Sequence, residues 1–237
     1  MKTIQSKVLI TFIISLLSIS NMNAQNNNPA LDAKHQSIVT ISALTAIGDV
    51  EHLKTELNTA LDAGLTVGEI KEILVQMYAY AGFPRSLNGI NTFMKVLEER
   101  KAKGILHNAG IEASPLNDTA DKYEQGRKVL EVLTKTAQSK PAPGFGAFAP
   151  RIDAFLKEHL FADIFVSDVL SYQQRELATI SALSAMAGVE GQLQAHVGMG
   201  KNTGLTESEL LQAADLIQKH VSKTQADTLR KILRPNG

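Results

Sequence analysis

The chain has 237 residues, 44% of them hydrophobic and 20% charged, which is enough to bury one or two ordinary cores and too apolar for wholesale disorder. Lys plus Arg is 24 and Asp plus Glu is 24, so the basic excess that drives contact with phosphate backbones is missing and nucleic acid is a poor partner. The sequence has no Cys, which excludes disulfides, thiolate metal sites, Cys nucleophiles and dithiol redox chemistry. Trp is absent and aromatics are only 5%, while Ala, Leu, Ile, Glu, Lys and Gln abound, a balance that predicts helices rather than strands.

At the N-terminus, Lys2 and Lys7 precede an apolar run over 8–17, a polar stretch over 18–23 and Ala24. This order reads as a signal peptide cleaved after Ala24, because the run is too short to span a bilayer core of about 30 Å. The expectation is an exported protein, periplasmic or secreted, without a stable membrane anchor. Residues 25–30 read as a disordered polar tether, and folding is expected from Leu31. Helices are predicted over 38–47, 50–63, 67–80 and 86–101. Gly48-Asp49 punctuates the first turn, and Gly64 followed by Thr66, with Glu69 three residues on, gives a C-cap and a capping box at the second. Gly82-Phe-Pro84 ends the third helix, since proline disfavours helical geometry at the residue before it.

A linker is expected over 104–120, dividing a first domain at 31–103 from a second at 121–237. In the second, helices are predicted over 121–137, 149–160, 172–187, 190–203 and 207–222, with a Pro/Gly break at 139–146. The two halves are related. Thr40-Ile-Ser-Ala-Leu44 recurs as Thr179-Ile-Ser-Ala-Leu183, and Gly64-Leu-Thr66 recurs as Gly204-Leu-Thr206, offsets of 139 and 140 that one inserted residue reconciles. Val50 and Glu51 match Val189 and Glu190, and Glu69 matches Glu209. Two copies of one helical unit imply a pseudo-two-fold pairing of the halves.

The helices at 172–187 and 190–203 turn around Gly188, with Glu176 twelve residues before it and His196 eight after. At 1.5 Å per residue the two differ in height by about 6 Å, so their side chains can converge. A carboxylate beside an imidazole is a workable proton-transfer pair, the acid fixing the tautomer and raising the basicity of the ring. The same spacing also fits a structural pair satisfied by neighbours such as Arg175 or Gln192. The first repeat has Ser37 and Glu56 at the corresponding positions. It carries instead Tyr78-Ala-Tyr80-Ala-Gly82-Phe-Pro84-Arg85, in which Tyr80 and Arg85 can bind a carboxylate or carbonyl, and the second repeat has Gln218-Lys-His220-Val-Ser222 there. This division of polar features fits a composite site between the halves, two decayed sites, or architecture alone. His35, His52, His107, His159 and His220 show no zinc spacing, and neither a Walker loop nor a Gly-x-Ser-x-Gly elbow is present.

The sequence resembles the carboxymuconolactone decarboxylase family, the superfamily that also holds the AhpD-type alkylhydroperoxidases. The first half carries Leu53-x3-Leu57-x2-Ala60-Leu61-x2-Gly64-Leu65-Thr66-x2-Glu69-Ile70-x-Glu72-Ile73-Leu74, then Gln76 and Tyr80-Ala-Gly82-Phe-Pro84. The second carries Tyr123-Glu-Gln-Gly126, Phe161-x-Asp163-x-Phe165, Arg175-Glu176-Leu177 and Leu193-x2-His196. The resemblance implies an all-α, AhpD-like bundle of two tandem domains that assembles as a homo-oligomer, a trimer or hexamer. It places catalysis at Glu176 and His196, with Arg175, Tyr80, Arg85 and Gln192 as substrate-binding candidates and no cofactor or metal. In the decarboxylase branch a lactone acid loses carbon dioxide, and His196 would transfer the proton while Glu176 orients it. In the hydroperoxidase branch a Cys-x2-Cys pair sits just before that His, where this chain has Val189-Glu-Gly-Gln192-Leu-Gln-Ala, so that chemistry is excluded here. The partner implied is a small organic acid or lactone, acted on by a lyase or isomerase; the alternatives are a noncatalytic small-molecule binder and an oligomeric structural relative.

Overall fold

The computed structural model describes residues 29–115 and 121–234. The expected signal peptide at 1–24 and most of the expected tether lie outside them. Helix α1 (Ala33–Ile47) begins where the Asp32 carboxylate accepts the His35 N–H at 2.8 Å, five residues before the predicted start. It ends at Gly48, whose φ of 78° lets its N–H turn back onto the Leu44 and Thr45 carbonyls. Every residue from Ser37 to Ala46 is buried. A helix covered on all sides shows no amphipathic stripe, which is why its start is hard to read from periodicity.

Helices α2 (Val50–Asp62), α3 (Val67–Gln76), the single turn α4 (Tyr78–Ala81) and α5 (Phe83–Ala102) complete the first repeat. The expected capping box opens α3, with Thr66 and Glu69 each accepting the other's backbone N–H. Pro84 sits in the first turn of α5, where its missing N–H costs nothing. The described part of the expected linker, 104–115, is docked on the first repeat. The Asn108 and Ala109 carbonyls take the Val67 and Gly68 N–H groups at 3.0 and 2.9 Å, satisfying donors that a helix start leaves unpaired.

Helix α6 (Lys122–Thr134) is followed by two short turns, α7 (Phe145–Phe148) and α8 (Pro150–Ala154), and α8 widens directly into a π-helix over Phe155–Ile164. A single helix over 149–160 was expected there. The second repeat then runs through α9 (Tyr172–Ala185), α10 (Glu190–Asn202), α11 (Glu207–His220) and α12 (Lys223–Leu233). Helix α12 was not predicted, yet it extends the repeat to a fourth helix. Ser86, Gly89 and Phe93 on α5 and Ala226, Leu229 and Leu233 on α12 are buried at the same offset of 140.

No strand occurs among the described residues, and the fold is all-α with tandem repeats. Its two central helices, α1 and α9, are corresponding members of the repeats and pack against each other. One hydrophobic core runs through both repeats, from Leu44 and Leu57 to Leu177 and Leu210, and Leu31–Gly237 forms one compact unit. The two expected domains are therefore repeats built around a common core. Each large apolar side chain buried there contributes roughly 1.5–3 kcal/mol relative to exposure. A second, smaller cluster, including Leu133, Phe161, Phe165 and Met199, joins α6 and the π-helix to α10.

Candidate active site

Gly188, with a φ of 79°, turns α9 back into α10 and brings Glu176 beside His196. The imidazole Nδ1 lies 2.8 Å from Glu176 Oε2, the convergence that helix heights predict. Close approach of the two helices depends on Gly200, one turn beyond His196. A Cβ at that position would lie 2.7 Å from Ile180 Cδ1. Glu176 is fully buried and His196 is 7% exposed. The second oxygen, Oε1, is also buried and has no hydrogen-bond partner among the described residues. Leaving a buried acceptor unpaired costs about 1–3 kcal/mol, which is a poor arrangement for a pair that serves stability alone.

Tyr80 reaches this pair from α4 of the other repeat, its hydroxyl 3.5 Å from His196 Nε2 and its ring edge-on to the imidazole with centroids 5.4 Å apart. Burial, reinforced by the negative charge of Glu176, pushes the phenol far above its usual range. Tyr80 is thus a neutral hydrogen-bond donor, and the site is composite, drawing on both repeats.

His196 also lines a cavity of about 600 Å³ whose walls are largely apolar, among them Leu130, Leu156, Phe161 and Met199. Gln192, one helical turn before His196, faces the same space, and its side chain makes no hydrogen bond among the described residues. The other two substrate-binding candidates stand elsewhere. Arg175 is fully buried, donating to Gln76 Oε1 at 3.0 Å, Glu72 Oε2 at 2.9 Å and the Ser167 carbonyl at 2.9 Å. Burial pulls its guanidinium below the usual value against the pull of Glu72, and with Gln76 bonded to the Arg175 carbonyl and Thr179 it ties the repeats together. Arg85 is exposed, donates to the Ala46 carbonyl, and is absent from the cavity wall.

One polar cluster of this cavity was not anticipated. Lys157 on the π-helix and Asp153 just before it, each 1% exposed, pair at 2.7 and 2.9 Å. The Tyr123 hydroxyl donates to Asp153 Oδ2 at 2.5 Å, and Lys157 Nζ also donates to that hydroxyl at 2.9 Å and to the Ser139 carbonyl at 3.3 Å. Burial raises the Asp153 carboxyl, but hydrogen bonds from Lys157, Tyr123 and the Ala142 N–H outweigh it and hold the group below its ordinary value. The sequence signal was an Asp and a Lys four apart, flanking the apolar Ala154-Phe-Leu156. No group of three or more His, Cys, Asp or Glu that could hold a metal occurs among the described residues.

The model of the carboxymuconolactone decarboxylase family matches residues 19–93 and 150–218, well over half of the chain. The chain belongs to that family. The first matched region contains Tyr80, and the second contains Lys157, Glu176 and His196. Among curated proteins, a 4-carboxymuconolactone decarboxylase of Acinetobacter baylyi is 34% identical over 73 residues, 31% of this chain and 52% of the relative. An uncharacterized protein of Methanocaldococcus jannaschii is 27% identical over 66 residues, 28% of this chain and 62% of the relative. The chain thus spans between one half and two thirds of the length of the curated relatives it matches. In this member of the carboxymuconolactone decarboxylase family, the Glu-His pair belongs to one repeat and the tyrosine to the other.

Proposed function

We propose that the chain is a cofactor-independent lyase or isomerase acting on a small lactone or oxo-acid, with His196 as the proton-transferring base. The observation that supports this most is the buried 2.8 Å contact between Glu176 and His196 on the wall of a 600 Å³ cavity. With the Nδ1 proton held by Glu176, Nε2 carries the basic lone pair, and it takes a substrate proton once the long 3.5 Å contact from the Tyr80 hydroxyl gives way to the substrate. In the reaction the C–H bond next to a carbonyl breaks, its electron pair delocalises onto the carbonyl oxygen, and the proton moves to Nε2. The imidazolium beside Glu176 then returns that proton to carbon. Where a carboxylate leaves as carbon dioxide instead, the electron pair of the broken C–C bond delocalises onto the carbonyl oxygen and then takes a proton from the His196 imidazolium, which in that branch starts the cycle charged by a proton from solvent. Tyr80 and Gln192 supply hydrogen-bond donors for the substrate's oxygens, and the apolar walls receive its carbon skeleton.

The test is deuterium uptake from heavy water, followed by proton NMR, at the carbon next to the carbonyl across a panel of lactone acids and oxo-acids. The wild type should exchange at least one of them. Glu176→Gln should slow exchange by about 10²–10⁴-fold and His196→Ala should abolish it. Exchange that survives His196→Ala would remove the assignment. Ligand-dependent stabilisation without exchange would instead favour the noncatalytic binder.

A further inference from the structure

The repeat relation carries the Tyr80–His196 contact onto a second pair. Subtracting 140 from His196 gives Glu56, and adding 140 to Tyr80 gives His220. His220 Nδ1 lies 4.0 Å from Glu56 Oε1, with the two side chains only 14% and 18% exposed. The imidazole and the carboxylate recur, but on exchanged elements: the acid stands on α2 where α10 has the histidine, and the histidine on α11 in place of the tyrosine. Both residues line a separate cavity of about 310 Å³, together with Ser37, the counterpart of Glu176, and with Thr40 and Lys219.

Three features separate this from a structural ion pair. At 4.0 Å the two groups are too far apart for a hydrogen bond, and neither makes one elsewhere among the described residues. Both groups face the cavity with hydrogen-bonding capacity unused by the protein, which a polar ligand can take up. The Ser37 and Thr40 hydroxyls donate to the Ala33 and Ser37 carbonyls, which leaves their lone pairs as acceptors. Finally, the exposed Lys219 makes no ion pair among the described residues and brings a positive charge to the rim.

The geometry points to a second small-molecule site, between α1, α2 and α11, that takes a small hydroxy-carboxylic acid. Lys219 meets the carboxylate, and the hydroxyl donates to Glu56 while accepting from the His220 ring. Burial lowers the imidazole's proton affinity, which leaves one nitrogen as a donor and the other as an acceptor in the neutral ring. This site stands whether or not His196 is catalytic, because it shares no residue with the first cavity.

The experiment is histidine-ring NMR on the folded chain with 15N-labelled histidine, titrated with 3-hydroxybutyrate and, as control, butyrate. The signals of His220 are assigned by their loss in His220→Gln, and those of His196 by their loss in His196→Ala. We expect the His220 signals to move saturably with 3-hydroxybutyrate, equally in wild type and His196→Ala, and more weakly with butyrate. Lys219→Ala should weaken the affinity by about fivefold, the upper range for an exposed charge pair. Glu56→Gln should also weaken it, and serves as the second variant should His220→Gln not fold. Static His220 signals, or an affinity indifferent to both Lys219→Ala and Glu56→Gln, would overturn the site. Movement of His196 alone would overturn it while supporting the first cavity as a binding site.

Discussion

Lys157 holds an ammonium where water does not reach, and everything it touches answers that charge: both oxygens of Asp153, the Tyr123 hydroxyl and the Ser139 carbonyl. Removing one partner of such a pair strands the other. Lys157→Met should therefore cost about 3–5 kcal/mol in urea unfolding, and adding Asp153→Leu should recover most of the loss. The Asp153 carboxyl is held below its ordinary value, so its contribution is complete above about pH 4 and disappears as pH falls through the lower folded value. The hydrogen bonds that Lys157 donates to Asp153 and Tyr123 raise its pKa despite burial, so its contribution persists through neutral pH and is lost only above about pH 10.4. Melting curves across pH should show a shallower acid limb in the double variant than in wild type; an unchanged limb would assign the acid sensitivity elsewhere. The Glu176–His196 contact was legible from the sequence because helix rise and a glycine turn convert spacing into distance. The Lys157 cluster was not, because an Asp and a Lys four apart ordinarily mark a solvated face. Arg175 lies away from the cavity for a related reason: its neighbour Glu176 contacts His196, but successive helical residues point about 100° apart.

Among the elements, the π-helix and α6 pack with a glycine at their contact. Gly126 lies so near the π-helix that an added Cβ would sit 1.8 Å from the Lys157 carbonyl oxygen. Gly126→Ala must push the two apart, and a destabilisation of about 1–3 kcal/mol or more is expected in denaturant unfolding. Distortion of the wall of the 600 Å³ cavity, to which both helices contribute, should accompany it, read as weaker ligand-induced stabilisation; a variant as stable as wild type would mean that the helices separate freely. Elements with local chemical signatures were legible in the sequence, as the capping boxes at Thr66 and Thr206 show. Those set by tertiary packing were not. Helix α1 has no polar face to give a period, and the buried Ala226, Leu229 and Leu233 of α12 sit among polar residues. Nothing local in residues 155–164 distinguishes a π-helix from an α-helix.

At the scale of the molecule, several large apolar side chains remain uncovered: Phe83, Ile152 and Phe155 ring one concavity and are each more than half exposed. Contiguous apolar surface of this kind marks association, and the homo-oligomer that the family resemblance implies would cover it. Light scattering on the purified protein should give a trimer or hexamer, and Phe155→Glu combined with Phe83→Lys should shift it to smaller species. A wild-type monomer would leave this face without a role. The repeat itself was legible from Thr40 to Leu44 and its copy, whereas the shared core was not, since identical motifs look the same whether the copies fold apart or together.

That shared core sets a timetable for synthesis. Helix α1 is covered by α9, which is translated almost 140 residues later. At ordinary elongation rates the ribosome takes roughly 10–30 s to cross that interval. Throughout it the most apolar helix of the first repeat waits without its partner, so a nascent chain that stalls in the 104–120 segment is a sticky half-protein, and its survival to that point depends on whatever shields it.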